Sequence, residues 1–143
     1  MLKAKRRTIL SALGCGTLSV AGCLTDRTPE ATLASVLVVN DRKNPVEVAV
    51  RIDKDGSTQY QETHRISGQD ADDNATEIET DWMGDQVPYS ITVKVVHATV
   101  TKTYTTSDAE EDVSDWGGNT CFDTAFTIEP SDIRVSIGAS EDC

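Results

Sequence analysis

The residues with the most reactive side chains are few and scattered. The 143-residue chain holds four cysteines, two histidines and two methionines among 24 acidic residues. A blue-copper site takes two His, one Cys and usually an axial Met. His64, His97, Cys121 and Met83 supply those types. Yet such sites place a His and the Met a few residues after the Cys, and nothing after Cys121 is either. Zinc needs ligands at close spacing, and the two histidines are far apart. Asp70-Ala71-Asp72-Asp73-Asn74 opens like a calcium loop, with oxygens at the first, third and fifth positions. The sixth position is Ala75 rather than Gly and the twelfth is Asp81 rather than Glu, so the stretch reads as a solvated loop. Glu110-Glu111-Asp112 reads the same way. No Cys-x-x-Cys offers a redox pair and no Gly-x-Ser-x-Gly offers a nucleophile elbow. Paired carboxylates for glycoside chemistry do not stand out from the acidic background. The expectation is a protein with no catalytic residues, no cofactor and no resident metal.

The strongest pattern lies at the N-terminus. Lys5-Arg6-Arg7-Thr8-Ile9-Leu10 resembles a twin-arginine export motif, with Arg6 and Arg7 followed by one free position and two apolar residues. The apolar stretch from Ile9 to Ala21 is too short for a spanning helix, which needs about 20 residues. It suits a leader core. Val20-Ala21-Gly22-Cys23 resembles a lipobox, whose Cys takes a diacylglyceryl-type lipid after cleavage. Ala12-Leu13-Gly14-Cys15 is a looser match, and using Cys15 would leave a core of only about six residues, under the usual 7–15. These resemblances imply a signal peptide over residues 1–22, cleavage before Cys23, lipidation of Cys23, and a short tether over 23–31. The expected location is extracytoplasmic, anchored to the cell membrane through that lipid.

From residue 32 to 143 the strand period replaces the helical one. Val46, Val48, Val50 and Ile52 alternate strictly with polar residues, bounded by Asn44-Pro45 and by Asp53-Lys54-Asp55-Gly56. Thr32–Asn40, Thr58–Ile66, Ala75–Trp82, Tyr89–Val95, Thr99–Thr105, Phe122–Ile128 and Ile133–Ile137 also read as strands. Seven or eight short strands parted by turn signals predict an all-β fold, a two-sheet antiparallel sandwich. Gln69–Asn74 and Ser107–Asn119 are the two expected long loops. If the domain binds a ligand or acts as an enzyme instead, a pocket between loops 69–74 and 107–119 is where its chemistry would sit.

Two cysteines remain once the leader is removed, and in an exported chain such a pair usually bonds. A hairpin of the last two strands would bring Cys121 and Cys143 together. Asn74-Ala75-Thr76 is a glycosylation acceptor sequence at Asn74. Trp82, Trp116 and Tyr104 are the large aromatics whose place, in the core or at a contact surface, the pattern leaves open.

Charge narrows the partners. Four of the 13 basic residues (Lys3, Lys5, Arg6, Arg7) lie in the leader, which leaves nine against 24 acidic ones, a formal charge of −15. Such a domain repels a phosphate backbone, so nucleic acid is not an expected partner. The abundance of Asp over Lys resembles the surfaces of proteins from salt-loving archaea. The Val38-Val39-Asn40-Asp41 opening, the strand rhythm and the late cysteine pair resemble small immunoglobulin-like lipoproteins exported by haloarchaea. That resemblance implies a non-enzymatic surface module of the cell envelope, acting in structure, adhesion or accessory binding, with an envelope protein as its unidentified partner.

Overall fold

The structure is a computed structural model, and it describes residues 29–117 and 120–143. Residues 1–28, which hold Arg6, Arg7, Cys15 and Cys23, lie outside the described residues. The elements run β1 (Thr32–Asn40), β2 (Val46–Lys54), β3 (Ser57–Ile66), β4 (Ala75–Ile78), β5 (Tyr89–Val95), β6 (Thr101–Thr105), α1 (Thr106–Val113), β7 (Cys121–Ile128) and β8 (Ile133–Ala139). They form two sheets of four strands, ordered β4-β1-β7-β8 and β3-β2-β5-β6. The sheets pack face to face as a β-sandwich. Every strand pair is antiparallel except β1 with β7, which is parallel. The constant-type immunoglobulin order has sheets of four and three strands. Here the architecture is shared and the strand order is different.

The alternation of side chains builds the core. Val48, Val50 and Ile52 of β2 and Ile91, Val93 and Val95 of β5 face Val36 and Val38 of β1 and Phe122, Phe126 and Ile128 of β7, all buried. Leu33 and Val36 are three residues apart, so a regular strand would send them to opposite faces. A register shift between Leu33 and Ser35 inserts the extra residue that lets both point inward. Ser35 then hydrogen-bonds Asp123 Oδ1 at 2.8 Å.

Asn40 closes the far end of β1 and is fully buried. Its amide nitrogen donates to the carbonyls of Asn44 (2.9 Å) and Ser67 (3.0 Å). Its side-chain oxygen accepts from Arg42 N at 2.9 Å. One side chain thus ties together two loops that have no ladder of their own. The β2–β3 turn is Asp55-Gly56, with φ of 49° and 79°. Two consecutive positive φ values match the twist of a two-residue hairpin.

Three expectations need correction. Ser107–Asn119 is not one long loop, because α1 fills its first half. β4 stops at Ile78 rather than Trp82, since the chain turns through Thr80–Gly84. Gly84 has φ 91°, and a Cβ there would stand 2.9 Å from the Cys143 carbonyl carbon. Its N–H donates to Leu33 O at 2.9 Å. Strand β6 begins at Thr101 rather than Thr99.

Candidate functional site

Cys121 and Cys143 are disulfide-bonded, with Cα atoms 5.7 Å apart. The hairpin logic holds: β8 pairs with β7 up to Ala139 opposite Phe122, and Ser140 N–H then donates to Cys121 O at 2.9 Å. The bond fixes the last residue against the opening of β1, where Thr32 pairs with Cys121. Cys121 therefore offers no thiol to a metal or a redox reaction. His97 sits in the β5–β6 turn with φ 63° and is exposed, while Met83 is buried. The four residues weighed for copper are thus not assembled into a site. Among the described residues no three His, Cys, Asp or Glu side chains gather as a metal cluster.

Asn74 lies immediately before β4 and is half-buried. Its backbone carbonyl accepts from Asn40 N at 2.8 Å, and its side-chain amide donates to Asn40 O at 3.4 Å. The sequon therefore belongs to the β1–β4 seam, with its amide partly engaged. Asp70, Asp72 and Asp73 stand in the preceding loop, where Asp72 and Asp73 are exposed.

The two segments expected to share a pocket line separate depressions. The 69–74 loop lies against Lys43 and Gly68. The α1 segment instead borders a groove of about 570 Å³, lined by Lys102, Tyr104, Asp108, Glu111, Asp132 and Arg134 among others. The topology explains this. The loop joins β3 to β4, the two strands at one edge of the sandwich, whereas α1 follows β6, which contacts β8 at the opposite edge. In the groove Tyr104 donates to Asp112 Oδ2 at 2.8 Å. That bond and burial push its phenol well above the ordinary range, so it is a held proton rather than a base.

The aromatics left open by the sequence pack inward. Trp82 stacks on Tyr89 with ring centroids 6.3 Å apart, and Tyr89 donates its hydroxyl to Trp82 O at 2.9 Å. Trp116 packs against the core just beyond α1.

One cluster escaped the sequence reading. β3 sits at a sheet edge, and Tyr60, Glu62 and His64 pair with Ile52, Val50 and Val48 of β2. Residues directly opposite share a face, so all three point to the core side. β4, the strand of the other sheet that packs most on β3, has four residues, so β3 overhangs: Tyr60 and His64 are half-buried and Glu62 is exposed. Tyr60 Oη lies 2.9 Å from Glu62 Oε2 and 2.6 Å from His64 Nε2. The Tyr60 and His64 rings are stacked, 6.1 Å apart and 5° from parallel. Burial, then the Glu62 carboxylate, raise the Tyr60 phenol to about 12. The readable signal was a run of polar residues, 60, 62 and 64, at the parity that should be apolar.

No protein-family model and no curated protein matches the chain. Among solved structures, one titled "Trapped Toxin" is similar over 76% of this chain and 23% of its own, at 9% identity and a TM-score of 0.31. The chain spans about a quarter of that structure's length. A likeness at that level carries no argument about function.

Proposed function

We propose that this chain is a membrane-anchored surface lipoprotein, a non-enzymatic envelope or accessory binding module. The observation that carries the reading is the leader: Arg6-Arg7, an apolar core, and Cys23 after Val20-Ala21-Gly22, in the order and spacing that export and lipidation need. The Cys121–Cys143 bond suits the oxidising side of a membrane. The sandwich begins at Thr32, nine residues after Cys23. Even fully extended, that tether reaches no more than about 30 Å. The domain would stand close to the bilayer.

Fractionation with mass spectrometry tests the reading. The wild-type chain should pellet with membranes and carry a lipid mass on Cys23. Cys23→Ser should lose the lipid and leave the membrane or stall as precursor, with the fold intact because Cys121 and Cys143 are untouched. Arg6→Lys with Arg7→Lys should block export, because an ammonium does not reproduce the guanidinium fork. A Cys23→Ser protein processed and retained like wild type would defeat the proposal.

A further inference from the structure

We propose that Tyr60, Glu62 and His64 form a binding site for one divalent first-row transition-metal ion, with His64 Nε2 and the Glu62 carboxylate as its principal ligands. The site lies on the overhanging inner face of β3, apart from the α1 groove. It extends the function proposed above and does not depend on it.

The geometry is that of three donors aimed at one point. Tyr60 Oη to Glu62 Oε2 is 2.9 Å, Tyr60 Oη to His64 Nε2 is 2.6 Å, and His64 Nε2 to Glu62 Oε2 is 3.9 Å. Two N or O ligands each about 2.1 Å from one ion stand about 3.0–3.4 Å from each other. The three separations straddle that range, so side-chain adjustments of a few tenths of an ångström to about an ångström admit an ion without moving the strand. Positions two apart on a strand share one face, the hydrogen bonds of Tyr60 draw the three side chains together, and β2 holds the strand in register.

The hydrogen bonds keep the donors together while no ion is bound. A phenol has one proton. If it goes to Glu62, His64 Nε2–H must donate to the phenol oxygen. Ion binding moves that imidazole proton to Nδ1 through solvent and leaves Nε2 a lone pair. The ring stays neutral, and the Glu62 carboxylate offsets one of the ion's two charges. Tyr60 Oη stands within hydrogen-bond distance of both ligands and serves as an oxygen ligand or as a donor to a metal-bound water. One imidazole with one carboxylate and water favours Cu²⁺ and Zn²⁺ over Mg²⁺ or Ca²⁺. Many of the chain's 24 acidic side chains offer only carboxylate oxygen, which selects the harder ions.

Calorimetric titration of the full chain with Cu²⁺, and separately with Zn²⁺, tests this. Cys15 and Cys23 are first alkylated without reductant, because free thiols would take either ion and the Cys121–Cys143 bond must survive. Excess Mg²⁺ occupies the general carboxylate background. The expected isotherm shows one discrete site for either ion. His64→Gln should weaken binding at least tenfold, and Glu62→Gln should weaken it less. His97→Gln should leave it unchanged. Electron paramagnetic resonance of the Cu²⁺ form should show coupling to one imidazole nitrogen that vanishes only in His64→Gln. Glu62 is 62% exposed, so Glu62→Gln folds even if the His64 variant does not. No discrete site, wild-type affinity in both β3 variants, or equal loss in His97→Gln would overturn the proposal.

Discussion

Tyr60, Tyr89 and Tyr104 are the chain's only tyrosines, and each packs its ring while its hydroxyl holds an oxygen partner. All three phenols are raised, Tyr60 and Tyr89 to about 12 and Tyr104 further. Burial is the main cause in each case, since it disfavours the phenolate, and the carboxylates of Glu62, Asp85 and Asp112 add to it. In the unfolded chain a phenol loses its proton near 10. Between there and the folded values the native state binds more protons than the unfolded state. Stability is therefore intact below pH ~10 and falls as the pH rises through the folded pKa values. Absorbance titration near 295 nm should show no phenolate step near 10, and phenolate should appear together with loss of tertiary circular dichroism. A phenolate step near 10 in a protein that stays folded would contradict the burial argument. In the sequence these residues were legible only as large aromatics. Tyr89 and Tyr104 find their partners seven and eight positions away, which no local pattern reveals, whereas Glu62 and His64 lie two and four positions from Tyr60 on the same strand face.

Elements were more legible than contacts. The strict alternation of Val46–Ile52 and Tyr89–Val95 marked the two central strands of one sheet. Asp55-Gly56 marked the hairpin that follows. The parallel pairing of β1 with β7 was not legible, because strand direction is decided by partners some 90 residues apart. The near-continuous apolar run in β1 was a hint, since strands covered on both faces read that way. The missed helix left a clearer trace. Thr105-x-x-Asp108 is a capping-box spacing, and Thr106, Ala109 and Val113 fall on one face and are buried. Thr105 Oγ1 accepts from Asp108 N at 3.3 Å, and Asp108 Oδ2 accepts from Thr105 N at 2.8 Å. At eight residues α1 is below the length at which helices hold in isolation, so the cap and the buried face carry it. Thr105→Ala should cost about 1 kcal/mol. Urea denaturation reads that loss, and hydrogen exchange should quicken at the amides of Ala109 to Val113 while the β2–β5 ladder is unchanged. Equal protection in both proteins would show that packing alone holds the helix.

At the scale of the molecule, charge is the dominant unbalanced quantity. The basic side chains Arg51, Lys54, Arg65 and Arg134 are paired with Asp53, Asp85, Glu47 and Glu129. Exposed pairs of this kind contribute about 0–1 kcal/mol each, and salt weakens them. Acidic residues outnumber basic ones 24 to 13, so the formal charge is −11 for the whole chain. Without residues 1–22, which hold four basic and no acidic side chains, the formal charge is −15. Compacting that charge costs self-repulsion that the unfolded chain largely escapes. Salt screens attraction and repulsion alike, and the excess of acid decides the sign. The Debye length shrinks from about 30 Å at 0.01 M to about 3 Å at 1 M, so most of the screening gain is complete by about 1 M. Strengthened apolar burial by excluded solutes would instead keep growing with concentration. The denaturation midpoint of the protein without residues 1–22 should therefore rise steeply between low salt and about 1 M NaCl and more slowly above it. A midpoint that stays level across the whole range would mean that the acid is dispersed widely enough to be harmless, and the resemblance to salt-adapted surfaces would then be compositional only.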